Sequence, residues 1–169
     1  MSRRRALMAS VLLGAGLVVA ATMAPGLSGA AAPPSTGRGE GFQFKTLLDT
    51  GFCMDIDESG SQPRAIVSTC TAVASQRFTL SDGADGYNLM IDSRGRCLSR
   101  GPKLSKDFFT VAVAPCTYRA NERWSLLALG QFTQANANRC LVIPRAASGA
   151  SVNVVPCQTV DSQRWQLSQ

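Results

Sequence analysis

Cys157-Gln158-Thr159-Val160-Asp161-Ser162-Gln163-Arg164-Trp165 places a cysteine eight positions before a tryptophan, inside the tripeptide Gln-Arg-Trp. The same step of eight leads from Cys70 to Phe78 through Gln76-Arg77-Phe78, and from Cys116 to Trp124 through Glu122-Arg123-Trp124. A distance that is kept while the residues between change marks one structural unit repeated in tandem.

Upstream of each copy stands a second cysteine. Cys53, Cys97 and Cys140 precede Cys70, Cys116 and Cys157 by 17, 19 and 17 residues. Six cysteines allow 15 pairings, but only pairing within each repeat gives all three units the same geometry. Closing a loop of that size contributes about 3 kcal/mol in the chain-entropy picture. Gly51, Gly95 and Asn138 each lie two residues before the first cysteine of their repeat. Glycine and asparagine accept positive φ most readily, so a left-handed turn residue is expected at all three positions.

Between the cysteines the chain shows short runs of Val, Ile, Leu, Phe and Thr broken by turn residues, with no long stretch at helical period. That is an all-β pattern. Repeats of about 42–82, 83–129 and 130–169 each carry four such runs, twelve in all. Phe42-Gln43-Phe44-Lys45-Thr46 alternates apolar and polar, as a strand with one buried face does. Phe109, Val111 and Val113 share one face of a strand, which puts Phe109 in the core and Phe108 on the exposed side.

The N-terminus reads differently. Ser2-Arg3-Arg4-Arg5 is followed by an apolar run from Ala6 to Ala24 and a small, flexible stretch from Pro25 to Ala32. This is the pattern of a secretory signal peptide, residues 1–30, with Ser28 and Ala30 as the small residues of the cleavage site. An uncleaved anchor is the other reading of so long a run, and Arg3-Arg4-Arg5-Ala6-Leu7 in part resembles a twin-arginine export signal. Residues 31–41, rich in Pro and Gly, form a flexible leader. Secretion places the cysteines where disulfides persist.

Removing Arg3, Arg4 and Arg5 from the 17 basic side chains leaves 14 against 11 acidic ones, a net +3. These charges are scattered singly, so the basic footprint of a nucleic-acid binder is missing. The sequence contains no histidine, which removes Ser-His and Cys-His catalysis together with the commonest metal ligand. Asp55, Asp57 and Glu58 stand in one turn and do not straddle a scissile bond as a glycosidase pair must. Asp55-Ile56-Asp57-Glu58-Ser59-Gly60 matches the opening half of a calcium loop, but its closing acid falls on Ile66 and Pro63 occupies a ligand position. The expectation is a protein that is not an enzyme and has no cofactor and no metal.

Three tandem units of about 42 residues, each with four strands, a cysteine pair and a Gln-x-aromatic motif or its variant, resemble the ricin-type (R-type) β-trefoil lectin domain over Phe42 to Gln169. The resemblance implies a stand-alone secreted β-trefoil with pseudo-threefold symmetry, a six-stranded barrel capped by three hairpins. It also implies that Gln76, Phe78, Glu122, Trp124, Gln163 and Trp165 serve the core. A sugar pocket of this family uses an acid two positions after the first cysteine and a stacking aromatic two positions before the second. An amide four positions before the second cysteine and an Asn just before the motif complete it.

Carried over, the first repeat keeps the acid as Asp55, with Ile66, Ser68 and Ser75 at the amide, aromatic and Asn positions. The second has Ser99, Ala112 and Ala114 and retains Asn121. The third has Val142, Val155 and Ser162 and retains Asn153. The candidate carbohydrate-binding residues are therefore Asp55, Asp57, Ser68, Ser75, Asn121 and Asn153, with the first repeat as the site. The implied partner is a glycan or glycoprotein, with no nucleic acid and no membrane insertion once the signal is cleaved. The alternative is a protein-interaction module, such as a toxin delivery subunit or inhibitor, on a trefoil that has lost its sugar pockets. Tyr118 and Phe108 are the rings open to such a role.

Overall fold

The computed structural model describes residues 41–82 and 84–169; the signal peptide and nearly all of the leader expected from the sequence lie outside them. The described chain is all β with short 3₁₀ turns. Repeat one comprises β1 (Gln43–Thr46), β2 (Phe52–Asp57), β3 (Arg64–Thr69) and β4 (Phe78–Asp82). Repeat two comprises β5 (Asn88–Asp92), β6 (Arg96–Ser105), β7 (Phe108–Pro115) and β8 (Arg123–Leu126). Repeat three comprises β9 (Phe132–Gln134), β10 (Arg139–Val142), β11 (Ala150–Ser151), β12 (Asn153–Pro156) and β13 (Trp165–Ser168). The count is thirteen rather than twelve because the third strand of the last repeat breaks at Val152, whose N–H is taken by Ala65 O at 2.9 Å.

The pairing repeats with the sequence. The last strand of each repeat is antiparallel to the first strand of the next: β4 to β5, β8 to β9, and β13 back to β1. Within a repeat the first and last strands also meet, which closes the barrel. Phe42 and Phe78 exchange backbone hydrogen bonds of 2.8 and 2.9 Å, Asn88 lies opposite Trp124, and Trp165 N–H reaches Gly130 O at 2.7 Å. Gly130 has φ 80°, and a β-carbon there would lie 2.5 Å from Trp165 O, so only glycine permits this closure. The second and third strands form the capping hairpins β2–β3, β6–β7 and β10–β12. The third strands meet one another through Arg64–Ala112, Asn153–Thr110 and Ser151–Ile66.

The symmetry reaches the core. Phe44, Met90 and Phe132 each precede the residue that faces the first cysteine of their repeat, and all three are buried. Met54, Leu98 and Leu141, then Val67, Val113 and Val154, then Phe78, Trp124 and Trp165, complete four buried sets of three. Phe44 stacks on Phe78 with ring centroids 5.2 Å apart and meets Phe132 edge-on at 5.0 Å. Burying aromatic rings in such pairs yields about 0.5–1.5 kcal/mol beyond area alone. Cys53–Cys70, Cys97–Cys116 and Cys140–Cys157 are the disulfides, one inside each repeat, each with Cα atoms 4.9 Å apart.

Three expectations are corrected. Of the residues two places before the first cysteine, only Gly95 is left-handed, at φ 78°. Gly51 and Asn138 instead supply carbonyls to the N–H groups of Cys70 and Cys157, at 2.9 and 3.3 Å, and repeat three places its left-handed residue at Asn136. Gln43 was expected on the polar face of β1, yet it is 8% exposed, because its amide finds partners beneath the hairpin. Phe108 is half-buried rather than exposed, and Phe109, half-buried too, lies under the guanidinium groups of Arg100 and Arg139 at 4.9 and 4.6 Å.

The hairpin turns of the first two repeats are clamped by charge. Arg96 pairs with Asp92 and with Glu58 across the repeat boundary, and Arg94 lies 3.3 Å from Glu58. Asp57 pairs with Arg64 and also accepts from Ser59 N–H at 2.9 Å. Hydrogen bonds from Ser59, then Arg64, hold the Asp57 carboxyl down at about 2, and the Arg96 guanidinium holds Glu58 below its ordinary value. A carboxylate depressed in the folded state adds stability above its unfolded pKa and loses it as pH falls toward the folded value. Melting temperature should therefore drop between about pH 4 and pH 2, and Arg64→Leu should flatten part of that drop in melts recorded across the range.

The two tryptophans predict a second difference. Trp124 Nε1 donates to Leu98 O at 2.9 Å, whereas Trp165 Nε1 is buried with no partner among the described residues. Phe78 shows that the unit accepts a phenyl ring at this place. Trp124→Phe should cost about 1–2 kcal/mol more than Trp165→Phe, since it alone strands a buried acceptor. Urea unfolding of the pair measures it, and equal losses would refute the assignment.

Candidate functional site

The amide of Gln76 is the centre from which the first-repeat site is built. It sits in a one-turn 3₁₀ helix (Ala74–Gln76) and is 1% exposed. Its Oε1 accepts from Thr71 N–H at 2.7 Å, and its Nε2 donates to Thr69 O at 2.9 Å, so one side chain brackets the backbone on either side of Cys70. Gln43 Nε2 donates to the same Oε1 at 3.2 Å and to Thr71 O. Gln163 repeats the arrangement around Cys157: Gln158 N–H and Gln131 Nε2 reach its Oε1 at 2.6 and 3.3 Å, and its Nε2 reaches Pro156 O at 3.0 Å. Gln131 also donates to Gln158 O at 2.7 Å. In repeat two Glu122, 4% exposed, accepts from Thr117 N–H at 2.8 Å and from the Thr117 hydroxyl at 2.7 Å.

Gln76 does one thing that its counterparts do not. Its Nε2 also donates to Asp55 Oδ2 at 3.0 Å. Asp55 Oδ1 takes the N–H of Ile56 at 2.7 Å, so the half-buried carboxylate is held at both oxygens. No Lys or Arg forms a salt bridge with it among the described residues. A carboxylate accepts about four hydrogen bonds, so its remaining lone pairs are open to external donors. In repeats two and three the matching positions hold Ser99, 7% exposed, and Val142, neither of which carries a charge.

Around Asp55 the strand register places the other candidates. Asp55 lies opposite Ile66, and Ser68 lies opposite Cys53 one pleat away on the same face. Ser68 and Ser75 are half-buried, and Ser75 immediately precedes Gln76. Asp55, Ser68 and Ser75 are thus brought to one side of the β2–β3 hairpin. Asp57 shares that face but is occupied by Arg64. Glu58, beyond the end of β2, is occupied by Arg94 and Arg96.

Asn121 and Asn153 lie elsewhere and serve the backbone. Asn121 Nδ2 donates to Arg100 O at 3.4 Å, and Asn153, 5% exposed, donates to Ser151 O at 3.0 Å. Tyr118 is 67% exposed with φ 59°, a left-handed conformation rare for a bulky residue. Sequence reasoning missed Gln43 and Gln131. Gln43 opens the first strand of its repeat and Gln131 immediately precedes the first strand of its own, 33 and 32 residues before the motif glutamine, and that near-equal spacing was the available signal.

A designed threefold-symmetric protein, ThreeFoil, superposes with a TM-score of 0.65 at 18% identity, over 76% of this chain and 97% of its own. A Polyporus squamosus lectin, solved with the epitope Neu5Aca2-6Galb1-4GlcNAc, gives 0.65 at 11% identity, over 79% of this chain and 50% of its own. The exo-beta-1,3-galactanase 1,3Gal43A of Clostridium thermocellum gives 0.65 at 15%, over 79% of this chain but only 30% of its own length. At these identities the likeness is one of fold. No curated protein matches the sequence. The sequence model of the ricin-type beta-trefoil lectin domain matches residues 87–169, the second and third repeats. The second and third repeats therefore match the ricin-type β-trefoil lectin family by sequence over residues 87–169, and residues 41–82 join them in the same β-trefoil.

Proposed function

We propose that the protein is a secreted carbohydrate-binding module whose site lies on the first repeat around Asp55. The observation that carries this reading is the state of that carboxylate. Gln76 and Ile56 N–H orient it, no cation among the described residues neutralises it, and its remaining lone pairs are open to sugar hydroxyls. Hydrogen bonds to a charged acceptor yield about 1.5–3 kcal/mol. Ser68 and Ser75 offer hydroxyls beside it.

Binding should be weak. Ser68 stands where a ring would cover the apolar face of a sugar, and the matching residues of the other repeats, Ala114 and Val155, offer no ring either. The family and the fold support glycan binding without catalysis, although some proteins that share the fold carry enzyme domains alongside it. The three disulfides support an extracellular location, and among the described residues no helix is long and apolar enough to cross a membrane.

Tyr118 supports a second reading. A ring 67% exposed on a left-handed backbone is the kind of anchor that protein interfaces use. A protein-interaction module would keep its affinity for a glycoprotein after glycan removal and lose it on Tyr118→Ala.

Glycan-array binding by the domain, followed by titration of the best ligand, tests the first reading. Asp55→Ala should abolish binding, and Ser68→Trp should tighten it about five- to tenfold by supplying the missing ring, at ~1 kcal/mol. A domain that binds no glycan at high concentration, in either the native or the Ser68→Trp form, would not be a lectin.

A further inference from the structure

A half-open cavity of about 520 Å³ lies where the third strands of the three repeats meet. Its floor is built at the contacts Arg64–Ala112 and Asn153–Thr110, and the long β6 strand raises Pro102 and Leu104 at its rim. Asp55, Ser68 and Ser75 are not among its walls. The volume falls within the range of about 300–1,000 Å³ that small-molecule sites occupy.

Its chemistry is unlike that of the Asp55 face. Apolar atoms make most of its surface, Pro63, Pro102, Leu104, Ala112 and Ala114 lining it beside the polar Gln62, Thr110 and Ser151. The cation in its wall, Arg64, is already paired with Asp57. One polar group points to a ligand. Asn153 is 5% exposed and commits its Nδ2 to Ser151 O at 3.0 Å, while its Oδ1 accepts from no protein donor among the described residues. That oxygen is not sealed from solvent, so it is free to accept from a ligand.

A sugar suits this cavity poorly, since a ring rich in hydroxyls would leave donors unpaired against alanine, valine and proline. An anion would meet no free cation. We propose that the cavity binds a neutral, largely apolar small molecule that donates one hydrogen bond to Asn153 Oδ1. The site is independent of the glycan reading: it uses none of the residues on the Asp55 face and takes a different class of ligand.

N-phenyl-1-naphthylamine, a neutral fused aromatic with a single N–H, is the probe. Titrated into the full, oxidised chain, it should show a saturable one-to-one fluorescence rise. Ala112→Phe, which fills the floor, should weaken binding about tenfold or more. Leu104→Ser, at a rim residue 61% exposed, should weaken it several-fold without lowering the melting temperature, so the test does not hang on the folding of the Ala112 variant. Asp55→Ala should leave it unchanged. 1-Phenoxynaphthalene, with an ether oxygen in place of the N–H, should displace the probe with a dissociation constant about tenfold weaker than the amine's own. 8-Anilinonaphthalene-1-sulfonate should bind more weakly than the neutral amine. Absence of a saturable rise, a rise untouched by both cavity variants, or equal binding of the ether or the sulfonate would each overturn the proposal.

Discussion

The amide of the motif glutamine is the interaction on which the rest depends. The second cysteine of each repeat ends a strand, and the backbone around it must leave the sheet with its N–H and C=O groups unpaired by any ladder. Buried groups of that kind need partners. Gln76 and Gln163 provide both at once, an acceptor for the residue after the cysteine and a donor for the residue before it. The aromatic two residues later then enters the core at a fixed place. Disulfide, amide and ring act as one unit, which is why the step of eight is kept in all three repeats while the residues inside it change.

This joins two things that the sequence kept apart. The Gln-x-aromatic motif reads as packing alone, and for Gln163 it is. Gln76 goes further, because its second amide hydrogen reaches Asp55. The group that completes the fold therefore also aims the carboxylate of the candidate site, and a carboxylate aimed by a buried amide loses little freedom when a ligand arrives. Repeat two shows the converse. Glu122 cannot donate, and it is satisfied instead by both donors of Thr117, a local exchange that keeps only the acceptor half of the bracket and does not reach toward Ser99.

Much of the fold was legible because it is periodic. Cysteine spacing gave the repeats and their disulfides, and short β-rich runs gave the strands, since both follow from local constraints that recur three times. What was not legible depended on contacts between residues distant in sequence. Gln43 looks like the polar face of a strand until Gln76, far along the chain, covers it. Gly51 and Asn138 looked like left-handed turn residues because residue type suggests φ, whereas their carbonyls are what the second cysteines use. Around Asp55 the acid itself was legible from its place after Cys53. That Asp57 and Glu58 would be claimed by Arg64, Arg94 and Arg96 was not, because the Glu58 pairs cross a repeat boundary.

The same distinction explains why one fold can carry unlike surfaces. Core positions are coupled around the threefold axis. Phe44, Met90 and Phe132 must together fill one space, so a change at one is felt by the others. Outward positions between the two cysteines have no such coupling. Asp55 with Ser68, Ser99 with Ala114, and Val142 with Val155 occupy matching places, yet nothing in the core depends on which pair is present. Each repeat is free to set its own surface chemistry, a lone oriented carboxylate in the first and small apolar residues in the second. The cavity walled by Ala112 and Ala114 follows from that freedom: where side chains are small and the β6 strand runs on to Ser105, the hairpin stands over a space that the core has no need to fill.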